Sequence, residues 1–474
     1  MAVPDIPPGF DFTDPDLYAV RVPSEEFAEL RRTAPVWWNA QRRGSAGFDD
    51  DGYWVVTRHA DILEISRRSE LYSSWENTAL IRFQEGIERD AIEMQRVILL
   101  NIDPPEHTKV RGIVSRGFTP RSVANMRDNL RERAERIVAT ALAEGTGDFV
   151  TDVACELPLQ AIAELIGVPQ EDRKKIFQWS NAMVGSDDPE FGEEGTIAAM
   201  EILAYAMEMA EDRRVNPRSD IVTKLVNAEI DGEHLSSDEF GYFVLMLAVA
   251  GNETTRNAIS HGMMAFFDNP DQWELFKAER PETAADEIIR WGTPVTVFQR
   301  TATADTELGG QEIKQGQRLG LFYRSANFDE DVFDHPERFD ILRSPNPHLG
   351  LGGLGAHYCL GASLAKLEIG LIFNAIADAM PDIHPAGEAE RLRSGWLNGI
   401  KRLPVTYTAS LSRGPGIARS HHREVRHGQC RDGRCREPEG HGRLPRCRLF
   451  THVAPDPSAA AGTHYYGRFG HRGN

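Results

Sequence analysis

Apolar positions recur at helical spacing through most of residues 1–411, and the periodicity ends there. The clearest segment begins Phe240-Gly-Tyr-Phe-Val-Leu-Met-Leu and runs on to Phe267. Ser236 with Glu239 makes a capping box in front of it, and Asn269-Pro270 stops it. This predicts one helix of about 30 residues, long for a globular protein and suited to crossing the middle of a domain. Leu360, Leu364, Leu367 and Leu371 mark one face of a second helix. Strand-like stretches are short: residues 53–57, 295–301, 318–323 and 405–408. The pattern is that of a mainly α fold with a small β-rich lobe. No apolar run reaches the ~18 residues of a membrane helix; the nearest is residues 243–250.

Charge narrows the partners. The 474 residues carry 53 Lys and Arg against 72 Asp and Glu, a net charge of −19, which argues against nucleic acid. Of five cysteines only Cys155 and Cys359 precede residue 412, so no disulfide framework is implied. The start, Met-Ala-Val-Pro-Asp-Ile-Pro-Pro, has no secretory pattern, and a cytoplasmic protein is expected, with peripheral membrane contact if the substrate is a lipid. Residues 412–474 differ in kind: 12 Arg, 7 His and 3 Cys, no Lys, and 5 acidic residues. Their cysteine spacing matches no zinc template. They read as a disordered Arg/His-rich tail without assigned function, and residues 1–411 as one domain.

The chemistry concentrates in the stretch from His348 through Gly350, Gly352, Gly353 and Gly355 to His357-Tyr-Cys359-Leu-Gly361. Glycines let a backbone approach a flat partner closely. A cysteine at a helix start feels the positive end of the macrodipole, which favours thiolate. A thiolate in a tight loop suits a haem iron, with Cys359 as metal ligand; a buried free cysteine is the structural alternative.

The long helix contains Ala250-Gly-Asn-Glu253-Thr254-Thr255, poor residues for helix stability. Ala250 and Gly251 would lie against the cofactor, and a threonine bonding back one turn opens a gap for dioxygen. Glu253 and Thr254 form an acid–alcohol pair able to deliver protons. Glu287-Ile-Ile-Arg290 sets opposite charges three apart, with Arg338 as the expected third member of a buried structural network. His107 and Arg111 lie one helical turn apart; with Arg300 and His357 they make four basic groups able to bind two carboxylates.

In this order and spacing, Ala-Gly-x-Glu-Thr-Thr, Glu-x-x-Arg, Phe333-x-x-Pro336-x-x-Phe339 and the glycine-rich cysteine loop resemble a bacterial cytochrome P-450 over residues 5–411. The resemblance implies the triangular cytochrome P-450 fold, with haem b between the long central helix and the Cys-loop helix. It also implies Cys359 as proximal thiolate, dioxygen activation for hydroxylation, Glu253 and Thr254 as proton-delivery pair, and His107, Arg111, Arg300 and His357 at the propionates. The family usually has an aromatic residue seven before the cysteine; here it is Gly352, preceded by Leu351.

Closer similarity is to actinobacterial steroid 26-monooxygenases, which oxidise the end of the cholesterol side chain. It is carried by Gly9-Phe-Asp-Phe-Thr-Asp-Pro-Asp-Leu, Cys155-Glu-Leu-Pro-Leu-Gln160, Ala248-Val-Ala-Gly-Asn-Glu-Thr-Thr-Arg-Asn257 and Leu392-Arg-Ser-Gly-Trp-Leu-Asn-Gly-Ile-Lys401. It implies pocket positions Val249, Val297, Phe298 and Trp396, and a lid over residues 75–100. Electrons would come from NAD(P)H through a separate reductase and a ferredoxin, docking near Arg111, Arg116, Arg121 and Lys366. A monomer is expected. The rival readings are a monooxygenase of branched fatty acids or terpenoids, a peroxide-driven peroxygenase, and a haem or steroid binding protein without turnover.

Overall fold

The computed structural model describes residues 4–408, except 116, 192, 193, 219, 228, 231, 232 and 236. The capping residue Ser236, Arg116 of the docking face and the tail 412–474 lie outside the described residues.

The long apolar segment forms one helix, Ser237–Asp268, of 32 residues. Phe240, Val244, Leu247, Ala248, Ile259, Met263 and Phe266 are all buried along it, so this central helix has no single solvent face to keep polar. Helices Glu156–Ile166, Arg173–Val184, Glu194–Val215, Ala284–Gly292 and Ala362–Ala379 pack against it. Gly251 is where a neighbour comes closest: a Cβ there would sit 2.7 Å from the Ile162 side chain.

The β-rich lobe is a five-stranded sheet in the order Val36–Ala40, Gly52–Val56, Arg318–Phe322, Val297–Ala302, Tyr72–Ser73. Only the pairing of Gly52–Val56 with Arg318–Phe322 is parallel. One face of this sheet covers Phe12, Phe27, Tyr53, Val297 and Phe322; the other carries Val56, Leu319 and Leu321. Strand Pro404–Thr406 joins a separate small sheet.

The expected strands are present with ends moved by one or two residues. Helix Glu194–Val215 has no counterpart in the sequence reading, because its apolar residues do not share a face: Ile202 and Ala206 are buried while Ile197 and Met200 are exposed. Among the described residues no helix is long and apolar enough to cross a membrane.

Candidate active site

The cysteine loop is pinned from several sides. The Leu349 amide donates to Asn327 Oδ1 at 2.6 Å, the Cys359 amide to the Leu351 carbonyl at 2.8 Å, and His348 Nε2 meets Asp286 Oδ1 at 2.9 Å. Gly352 has φ +95°, which glycine alone adopts without strain. Gly355 lies so close to helix His59–Arg67 that a Cβ would fall 1.7 Å from the Ser66 carbonyl oxygen. Gly355→Ala is therefore expected to cost about 1–3 kcal/mol and to displace the loop. Gly370→Ala, which meets nothing within 4 Å and lies outside the cavity wall on helix Ala362–Ala379, is the tolerated control. Thermal melts and cofactor retention of the two variants check this.

Cys359 is a free thiol at the head of helix Ala362–Ala379, and it lines a cavity under the central helix. The helix start is not the only influence on this sulfur. Burial pushes the Cys359 thiol up, and the Gly361 amide and the Arg111 charge offset this only in part. A coordinated metal ion is the charge that favours the thiolate at this position. Gly352, at the position where an aromatic residue is usual, lines the cavity, and Leu351 before it lines the cavity too and packs against the helical core.

The four basic residues converge. His107, Arg111, Arg300 and His357 all line the same cavity. The His107 and His357 ring centroids are 4.3 Å apart, and Ser74 Oγ lies 3.2 Å from His357 Nε2. Arg111 donates to the Tyr358 carbonyl and Arg300 to the Gln299 carbonyl, each at 2.6 Å. Burial pulls His107 down to about 4 and His357 to about 2, and lowers both arginines. Asp103 is the carboxylate that faces them, and Ser73 and Ser74 hold it. His107 Nδ1 is buried with no partner. Two guanidinium groups and an orphaned imidazole nitrogen on one wall call for anionic ligands. These residues fit a dianionic cofactor with a metal centre: Arg111 and Arg300 would meet its carboxylates, and Cys359 would hold its metal.

From the central helix, Ala250, Gly251, Thr254, Thr255 and Ala258 line the cavity. The Thr254 hydroxyl bonds back to the Ala250 carbonyl at 2.9 Å, as its position in the sequence suggests. Glu253 is brought elsewhere. It is 1% exposed, is absent from the cavity wall, and pairs with Arg256 one turn on. Burial raises its carboxyl while Arg256 pulls it back.

Glu287 and Arg290 are fully buried and joined by two bonds of 2.8 Å. Arg290 also donates to the carbonyls of Asn327, Pro336 and Arg338. The third side chain is not that of Arg338, which is exposed on the turn between inward-facing Phe333 and Phe339. Arg343 takes the role, with Nε 3.2 Å from Glu287 Oε2.

The four pocket positions divide. Phe298 lines the cavity and stacks on Trp396 with centroids 6.2 Å apart. Trp396 and Val249 pack beyond it with Val184, Leu392 and Leu397. Val297 is core: strand neighbours point to opposite faces, and Val297 sits fully buried against the cluster of Phe12 and Phe322. On the docking face, Arg111 is taken by Tyr358, and Lys366 pairs with Asp286 at 2.5 Å. Sequence reasoning missed Glu368, a buried carboxyl on the cavity wall pushed well up by burial. It lies four after Leu364, so the spacing that marked that apolar face already pointed to it.

A haem-thiolate enzyme is the class that this fold and site define, and comparison agrees: residues 282–377 match the cytochrome P450 family model. The chain belongs to the cytochrome P450 family and is a monooxygenase of that family, whose haem iron takes a thiolate ligand. It is 64% identical over 411 residues to the steroid C26-monooxygenase of Rhodococcus jostii, covering 86% of this chain and 87% of that one. It is 42% identical over 394 residues to the methyl-branched lipid omega-hydroxylase of Mycobacterium bovis, covering 81% and 90%. A cytochrome P450 of Mycobacterium marinum, solved in complex with pseudoionone, superposes with a TM-score of 0.78 at 38% identity, over 85% of this chain and 100% of that one.

Proposed function

We propose that this chain hydroxylates a terminal methyl group of a cholesterol- or cholestenone-type side chain, using dioxygen and two electrons delivered singly by a ferredoxin and its reductase. The observation that carries the substrate class is the contrast between 64% identity to a steroid C26-monooxygenase and 42% to a methyl-branched lipid omega-hydroxylase, each over most of both chains.

Haem b, when bound, supplies the activation of dioxygen. Cys359 would hold its iron through the thiolate sulfur, whose negative charge would push electron density toward the metal. Arg111 and Arg300 would offset the charge of its two propionates, and the imidazoles of His107 and His357 would hydrogen-bond to them. Ala250 and Gly251, small residues on the cavity wall, would leave room for it. Thr254 presents a hydroxyl to the cavity, and Glu253 is the buried acid next to it that holds the proton to be passed on. Phe298, Met246, Leu247 and Val295 wall the site with apolar surface, which excludes water and suits a long hydrocarbon tail. Trp396 and Val249 extend that wall away from the cysteine loop. Residues 1–411 act as the catalytic unit, in the cytoplasm and as a monomer. The ferredoxin docks on the side of the cysteine loop that carries Arg111, Arg121 and Lys366, and residues 412–474 have no part in the chemistry.

Optical titration tests the substrate class. Cholestenone is expected to shift the Soret band and to bind at least about tenfold more tightly than a methyl-branched fatty acid, because a rigid four-ring body buries more apolar surface at less entropic cost. Tighter binding of the branched fatty acid would transfer the chain to the lipid omega-hydroxylases.

A further inference from the structure

The carboxylate that faces the four basic residues is held by the chain running past it. Asp103 Oδ1 accepts the Ser74 amide at 2.7 Å, and Oδ2 accepts the Ser73 hydroxyl. Ser73 Oγ in turn accepts the Trp75 amide at 2.9 Å and the Glu76 amide at 3.2 Å, a turn closed around one hydroxyl. Ser73 also pairs with Thr301 at the edge of the five-stranded sheet, one residue from Arg300. Ser74 is fully buried and points the other way along the wall, its Oγ 3.2 Å from His357 Nε2. The serines thus occupy both oxygens of Asp103, and Arg111 and Arg300 stay available to other anions.

The same turn is gripped from further along the chain. Arg96 donates from Nε to the Trp75 carbonyl and from NH2 to the Glu76 carbonyl, each at 2.9 Å, and its guanidinium lies 5.4 Å from the Trp75 ring centroid. Arg89 reaches the Glu76 carbonyl and Asn77 Oδ1, each at 2.7 Å. Residues 75–96 therefore form a loop closed on its own root, and that root rests on Asp103. Trp75 is 41% exposed, so packing alone does not fix the turn. A carboxylate taking two donors from adjacent residues is a stronger anchor than a neutral acceptor.

We propose that Asp103 is a positioning residue that couples the cofactor cradle to the loop 75–96: through Ser73 it closes the root of the loop, and through Ser74 it sets His357. An anion held by His357 fixes the imidazole, hence Ser74 and the carboxylate behind it. A loop already closed presents His357 in place, so less ordering remains when the cofactor arrives. Loading the cofactor and ordering the loop then support one another by the same factor. The inference rests on the reading of His357 as a partner of a propionate.

The test uses the full chain, with and without haem, as native protein, Asp103→Asn and Ser74→Ala. Hydrogen exchange read by mass spectrometry follows the loop, and transfer of haem to apomyoglobin follows the cradle. In the native protein haem is expected to slow exchange of residues 75–96 at least about tenfold. Asp103→Asn, nearly isosteric but uncharged, is expected to speed exchange there in both forms and to release haem at least about threefold faster. Ser74→Ala keeps the Ser73 anchor, so its haem-free loop is expected to exchange as in the native protein, while the protection gained on loading shrinks. A purely structural role for Asp103 would speed loop exchange and leave haem transfer at the native rate. That result, or loop amides indifferent to haem in the native protein, overturns the proposal. Should Asp103→Asn not fold, Ser74→Ala decides: a gain of protection equal to the native one overturns it as well. Reduced carbon-monoxide spectra of the loaded samples report the ligand reading separately. A histidine-ligated spectrum in protein whose loop still responds to haem would refute Cys359 as ligand and leave the coupling standing.

Discussion

Arg290→Met is expected to lower the stability of the fold by about 3–5 kcal/mol, the usual cost of removing one member of a fully buried ion pair. Both partners have no exposed side-chain surface, so Glu287 cannot recover water. Arg343 remains beside it, but through one bond of 3.2 Å and from a position nearer the surface. The loss does not stay local. Arg290 holds the Asn327 carbonyl at 2.8 Å, and the Asn327 side chain accepts the Leu349 amide at the start of the cysteine loop. Arg290 also lies 5.0 Å from the Phe328 ring centroid and 5.4 Å from that of Phe333, contacts that methionine cannot replace in kind. Denaturant unfolding with and without haem measures the effect. The expected result is a lowered midpoint in both forms and weaker haem retention. A midpoint within about 1 kcal/mol of the native protein would show that Arg343, Asn346 and the Asp340 amide satisfy Glu287 without it.

Cys359→Ser is expected to abolish sterol hydroxylation while leaving the fold intact. The cavity walls and the four basic residues do not depend on the sulfur, and serine is nearly isosteric with cysteine. Apoprotein stability should therefore change little, and replacing a buried thiol that burial has already pushed up removes no ion pair. What is lost is the sulfur whose negative charge a metal ion can stabilise and draw on. Turnover with a ferredoxin and reductase, alongside melting curves, separates the two effects. Loss of fold together with activity would mean that Cys359 is structural. Retained turnover would mean that some other residue is the ligand.

Local rules reached some features and stopped short of others, for physical reasons. The central helix, the cysteine loop and the pairing of Glu287 with Arg290 were legible because each is written in spacing along one segment. The convergence of His107, Arg111, Arg300 and His357 was legible as a set, through resemblance, although their partners were not: no spacing rule links Ser74 to His357 across 283 positions. Arg343 was missed for Arg338 because the turn between Phe333 and Phe339 decides which arginine faces inward, and that choice is tertiary. Val297 and Phe298 were named together, but strand neighbours point to opposite faces, so only Phe298 reaches the cavity. The turning of Glu253 away from the cavity goes with Arg256, which donates to Asn181 on a helix whose position the central helix does not encode.

The central claim is that Cys359 is the thiolate ligand of a haem iron, and the most direct measurement is the reduced, carbon-monoxide-bound difference spectrum of the haem-loaded chain, native and Cys359→Ser. The account predicts the red-shifted Soret band of a thiolate-ligated haem in the native protein and its loss in the variant. A native spectrum of the histidine-ligated type, or a red-shifted band that survives the substitution, would contradict it.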